Sequence, residues 1–152
     1  MKKWIIFLMC AVILTGCGMN SLYSNDSKIS SDTNSFNLNE EQQRVDNQEY
    51  IGQLEFEGMD TIWTYDAKED INVEISYKLS VTEGKAKLVL VHPEGRLETI
   101  VENKENKIQE QEENITLALE RGSYRVKLVG ANKAQIDLSF KASAGNLHTV
   151  GF

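Results

Sequence analysis

Thiols, imidazoles and proline are scarce in these 152 residues, which hold two cysteines, two histidines and one proline. Both cysteines, Cys10 and Cys17, fall at the very start of the chain. Everything after them lacks a thiol for a disulfide, a thiolate metal site or a nucleophile. His92 and His148 are too far apart in sequence for a zinc pattern, and neither stands in a motif with a nucleophile or an orienting carboxylate. Both read as surface residues. Pro93 lies in His92-Pro93-Glu94-Gly95, a turn with proline at its second position, so it interrupts no regular element. Basic residues are outnumbered, giving a formal net charge of −7. No Lys/Arg cluster is set apart, and an acidic chain repels phosphate, so nucleic acid is excluded as a partner. A Gly-rich phosphate loop, a G-x-S-x-G elbow and an internal repeat are all missing.

The longest apolar run is Trp4 to Leu14. It falls well short of the roughly 20 residues a membrane-spanning helix needs. Lys2 and Lys3 precede it and Leu14-Thr15-Gly16-Cys17 follows it. Positive start, short apolar run and small residues form an export-signal layout. The last four resemble the lipoprotein box of bacteria. That resemblance implies cleavage before Cys17, a diacylglycerol thioether on its sulfur and an N-acyl chain on its new amino group. Residues 1–16 are then a discarded signal peptide, and with them go two lysines and no acid, leaving a more acidic body. Anionic lipid and wall polymer repel such a body, so the acyl chains are its main contact with the bilayer. Two or more chains suffice for stable anchoring. The expected location is extracytoplasmic, lipid-anchored to the cell membrane.

After Cys17 the composition turns to Ser, Asn and Asp with isolated hydrophobic residues. Such a segment buries too little apolar surface to offset the entropy of ordering. Residues 17–48 read as a flexible stalk of roughly 30 Å mean extension. Leu22, Tyr23 and Phe36 are its scattered apolar residues, with a partner-docking motif as the other reading. Residues 38–49 tolerate a short helix.

From Tyr50 the hydrophobic period becomes two. In 71–82, INVEISYKLSVT, every odd position is apolar and every even one polar, which specifies a strand with one buried and one wet face. Similar runs occur at 51–57, 60–65, 86–92, 96–102, 115–120, 123–129 and 134–141. Glu83-Gly84 and Gly130 to Lys133 read as hairpin turns between them. About eight short strands with turn signals every 8–12 residues predict an all-β, antiparallel β-sandwich or jelly roll over 49–142, with 143–152 as a tail.

The run ITLALERGSYRVKLVGANKAQIDLSF, strand, Gly-Ser-Tyr turn, strand, Gly loop, strand, resembles the closing half of bacterial pre-peptidase C-terminal domains. The whole chain resembles the small lipoproteins of Gram-positive bacteria. These likenesses imply a jelly-roll accessory module for binding or secretion rather than a catalyst, and they bring no site residues or cofactor.

Four candidate features remain. Trp63 and Tyr65, two apart in a strand, share a face; facing water they would stack on sugar rings, and facing inward they are core. Val89 and Val91 lie opposite Leu88 and Leu90, and they mark either a partner surface or a covered central strand. Asp66 and Asp70 in YDAKED are weak candidates for a hard cation, without the spacing of a dedicated calcium loop; otherwise they are solvated turn residues. Dispersed acids elsewhere would admit a carboxylate-based hydrolase. The favoured expectation is a non-enzymatic module binding an envelope or extracellular partner. Envelope polysaccharide bound by aromatics and a structural role beside a membrane protein are the alternatives.

Overall fold

The computed structural model describes residues 18–152. The signal segment and Cys17 lie outside the described residues. Seven strands form one antiparallel network: β1 (Ser35–Asp46), β2 (Glu49–Ala67), β3 (Ile71–Val91), β4 (Leu97–Lys104), β5 (Glu113–Leu119), β6 (Gly122–Ala142) and β7 (Asn146–Leu147). Their order is β1-β2-β6-β3-β4, with β5 also on β3 and β7 on β2. The all-β sandwich expectation holds.

The eight short strands read from the sequence are fewer and longer. Three of the strands, β2, β3 and β6, run through both layers of the sandwich. In the first layer, residues 49–56 of β2 pair with 134–141 of β6, and 71–81 of β3 pair with 136–142 of β6 and with β5. In the second, residues 58–67 of β2 pair with 122–130 of β6, and 85–91 of β3 pair with 125–131 of β6 and with β4. Between the layers the register shifts at Phe56/Gly58 and around Glu83. The Gly and Asn signals taken for hairpin turns are therefore bends within continuous strands. Bulges bend a strand and raise its twist without reversing it. Gly58 and Gly84 carry positive φ (105° and 70°), as do Asn132 and Lys133.

Alternation fills the space between the layers. Tyr50, Leu54, Leu79, Val81, Leu138 and Phe140 from the first layer join Trp63, Leu88, Leu90, Val126 and Leu128 from the second in one buried cluster. The tail closes the open edge. Val150 is buried, its amide donates to Gln43 Oε1 and its carbonyl accepts from Gln43 Nε2, both at 2.8 Å. The Gly151 amide donates to the buried Asp60 carboxylate at 2.7 Å. Residues 143–152 thus belong to the domain.

So does the segment read as a stalk. Met19–Ser24 is a 3₁₀ turn, Asp26–Ser30 a short helix (α1) capped by the Asn25 side chain, and β1 follows. The polar sequence of β1 concealed it, because Phe36, Leu38 and Val45 are its only apolar residues and 39–44 carry none. It is held by pairing with β2 through a two-residue loop, Asn47-Gln48, both at positive φ (46° and 63°). That conformation matches the twist of a hairpin.

Replacing Gly58 tests the bend. A Cβ there would meet the backbone of Ser35 and Phe36 at a φ that side chains rarely adopt. Gly58→Ala should cost about 2–3 kcal/mol, read by urea denaturation as a lowered midpoint with unchanged slope.

Candidate binding groove

A depression of about 830 Å³ lies on the outer face of the first layer. Its floor follows from strand register. Gln42 of β1 is the cross-strand partner of Gln53, Gln53 of Asp137, and Asp137 of Ser80. Cross-strand neighbours point to the same side, so these four form a polar row perpendicular to the strands, with steps of roughly 4.8 Å. Lys78, on the same face of β3, also lines the groove. Among the described residues, the side chains of Gln42, Gln53, Lys78 and Asp137 have no hydrogen-bond partner, which leaves amide, ammonium and carboxylate groups for a ligand. Gln135, also lining the groove, instead donates to Glu55 at 2.8 Å.

One wall is the connection from β4 to β5. Lys107 bridges to Val81 in both directions, with N–O distances of 2.8 and 3.0 Å. Gln109 accepts from the Leu79 amide (3.0 Å), donates from its side chain to the Tyr77 carbonyl (3.2 Å), and donates from its backbone to Ser80 Oγ (3.0 Å). Pinned in this way, the loop presents Ile108, 54% exposed, at the rim. The groove combines a hydrogen-bonding floor with one apolar edge and three carboxylates, Glu41, Glu110 and Asp137, against Lys78. It suits a hydroxyl-rich ligand without negative charge. Ser76, Lys78, Ser80 and Thr82 were legible in the sequence as a wet face. What made part of that face a groove, the pairing of β1 and the folding-back of 105–112, was not.

The aromatic pair lies elsewhere. Trp63 is 0% exposed, its ring stacks on Tyr65 at 5.9 Å, and its indole N–H donates to the Ala144 carbonyl at 2.8 Å. The tail satisfies its polar edge, so Trp63 is core and offers no sugar platform. Tyr65 is half-buried beside Asp66 in a smaller depression of about 340 Å³. Asp66 accepts from Ser123 Oγ, and Asp70 is exposed ahead of β3. Among the described residues, no group of three or more His, Cys, Asp or Glu side chains is placed to hold a metal ion. His92 is not a plain surface residue: it is 9% exposed, hydrogen-bonded to Glu98 at 3.0 Å and Arg96 at 2.8 Å, and edge-on to Tyr124. His148 is half-buried and meets Thr64 Oγ1 at 3.1 Å.

Val89 and Val91 are each 1% exposed. Val89 packs with Met59, Val129 and Ala131 on the outer face of the second layer, beneath Tyr23 and Ile29 of the N-terminal segment. That segment acts as a strap. Lys127, wholly buried, donates from Nζ to the carbonyls of Ser31 (2.6 Å) and Thr33 (3.0 Å), and Arg125 binds the Ser30 carbonyl (2.8 Å) and Asp32. Lys85 and Lys87 place Nζ 4.4 and 4.6 Å from the Tyr23 ring centroid, a cation–π arrangement. Val89 therefore lies on a face covered by the chain's own strap, and Val91 is buried as well, so the pair is not a free partner surface.

No protein-family model matches the chain, and no curated protein does. Among solved structures, it is similar to a mutant of CBM29-2, a family 29 carbohydrate-binding module, at 11% identity and a TM-score of 0.40 over 72% of this chain and 73% of that one. At that level the likeness does not bear on ligand or site. The class defined by the coordinates is an all-β antiparallel sandwich. Among the described residues, no helix is long and apolar enough to cross a membrane.

Burial and the neighbouring Arg125 push the Lys127 ammonium from its ordinary 10.5 down to about 8, against the pull of Asp32 and Asp60. Between about 8 and 10.5 the unfolded chain holds the proton and the folded one does not. Stability from this group therefore rises with pH across that window. Denaturant titrations of the wild type relative to Lys127→Met should show this rise between pH 8 and 10; parallel curves would contradict it.

Proposed function

We propose that this protein is an extracytoplasmic, non-enzymatic binding module, anchored to the cell membrane through acyl chains on Cys17, whose outer groove takes a neutral polysaccharide of the envelope. The observation that carries the ligand reading is the row Gln42, Gln53 and Asp137 across adjacent strands. Planar amide and carboxylate groups bond paired hydroxyls, and the sheet fixes the spacing of the backbone positions that carry them. The excess of carboxylate over ammonium in the groove disfavours polyanions such as phosphate-bearing wall polymers. The anchor reading rests on Lys2, Lys3, the apolar run and Leu14-Thr15-Gly16-Cys17. A structural role beside a membrane protein drew on Val89 and Val91, and with Val89 under the strap and Val91 buried it loses its motivating surface.

Calorimetry against a panel of neutral and anionic polysaccharides tests the ligand. Wild type should bind a neutral member without releasing reducing ends. The double variant Gln53→Ala/Asp137→Ala should weaken binding at least tenfold, because each lost hydrogen bond is worth about 1 kcal/mol. Unaltered binding by that variant would remove the groove from consideration, and released reducing ends would make the protein a hydrolase. For the anchor, mass spectrometry of protein from native membranes should find an acylated N-terminus at Cys17, and an unmodified residue or retained 1–16 would overturn it.

A further inference from the structure

We infer that the anchored protein has no stalk and that its strap-bearing face lies against the lipid headgroups, so that the groove points away from the membrane. This rests on the reading of Cys17 as the lipidated residue. Gly18 is covalently bonded to Cys17, and the 3₁₀ turn opens one residue later, at Met19. Consecutive Cα atoms lie about 3.8 Å apart, so the lipid attaches within a few ångströms of folded chain.

The attachment is firm from its first residues. Asn20 accepts from the Asn132 amide at 2.7 Å, Met19 Sδ accepts from Ser35 Oγ at 3.4 Å, Tyr23 is 4% exposed and Ile29 is 0% exposed. Beyond them Arg125 and Lys127 hold the carbonyls of Ser30, Ser31 and Thr33. A random coil of 30 residues would let the domain tumble some 30 Å above the bilayer. A single residue between anchor and body removes that freedom.

Orientation follows from parity. The strap covers Met59, Val89 and Val129, on the outer face of the second layer. The groove floor, Gln53, Asp137 and Ser80, is on the outer face of the first. The shared core lies between these faces, so strap and groove are on opposite faces of the sandwich, with the chain entering at the bend between the layers, where Asn20 meets Asn132. Packed sheets are about 10 Å apart, and the strap adds a comparable thickness. The membrane-side surface is also less acidic than the chain as a whole. Lys28, Lys85, Lys87, Lys104 and Lys133 stand on or around the strap, with Asp26, Asp32, Glu57, Glu83 and Glu102 among them, so this side is near neutral while the chain is net acidic. An anionic headgroup layer therefore does not repel this side as it repels the rest.

Energy transfer to a headgroup-linked acceptor reads the arrangement. Detergent-extracted lipidated protein is placed in phosphatidylcholine/phosphatidylglycerol vesicles. Single donors are attached through Lys28→Cys on the strap or Gln53→Cys in the groove, both exposed positions, since Cys17 is the mature chain's own cysteine and is blocked by lipid. Transfer from the strap should exceed transfer from the groove at least threefold. Inserting fifteen Gly/Ser residues between Gly18 and Met19 should erase the difference. Equal transfer from the two sites without the insertion, or stronger transfer from the groove, would overturn the inference. Coupling a synthetic diacyl chain to Cys17 in vitro repeats the comparison independently of cellular processing, so failure here is separable from failure of the anchor reading, which the mass of Cys17 decides.

Discussion

The outer face of the second layer imposes one constraint on this fold: Met59, Val89 and Val129 must be covered. A sheet face carrying that much apolar surface would be an association site if left open. Tyr23 and Ile29 close it from within the same chain. Full burial of a side chain like Ile29 contributes about 1.5–3 kcal/mol, which offsets part of the entropy of ordering the segment and leaves the rest to Tyr23 and to the hydrogen bonds from Lys127 and Arg125. Lys127 extends the hold. Its buried ammonium is tolerated because two backbone carbonyls receive it, and those carbonyls belong to the strap. Burying the cation and ordering the strap are thus a single event.

The bends in β2, β3 and β6 organise everything else. Each long strand supplies both layers, so the inner parity of one layer continues into the other and a single core results. The faces left outside differ in character. On the second layer Met59, Val89 and Val129 are apolar and need the strap, and Arg125 and Lys127 beside them bond it. On the first Gln53, Lys78 and Asp137 stay wet and line the groove, while Ser80 is buried against the pinned 105–112 loop. The division of labour between a covered face and an open one is written in side-chain alternation on either side of the same three bends.

Much of the fold was legible in the sequence. The strict alternation of 71–82 specified β3, and the recurring apolar periods specified an antiparallel sandwich. Gly84 and Gly130 were read as reversals because glycine with positive φ serves hairpins and bulges alike, and only the register across neighbouring strands separates them. β1 went unseen because its apolar alternation, Phe36 and Leu38, stops at the polar run 39–44, and the strand is held by its partner. The strap failed the composition test for the same kind of reason. Its two key hydrophobic residues, Tyr23 and Ile29, are sparse in sequence but meet one prepared surface. Trp63 and Tyr65 were correctly placed on one face; which way that face pointed depended on the tail reaching the indole. The groove was the least legible feature, since it arises where three non-adjacent segments meet.

The account depends on residues 19–34 being a folded part of the domain rather than a tether. Amide hydrogen exchange followed by mass spectrometry measures this directly. Peptides spanning the strap should exchange about a hundredfold or more slowly than an unstructured chain, with Ile29, whose amide donates to Asn25 at 3.0 Å, among the protected sites. Exchange at unstructured rates throughout the segment would contradict the account, because it would leave the apolar face of the second layer uncovered.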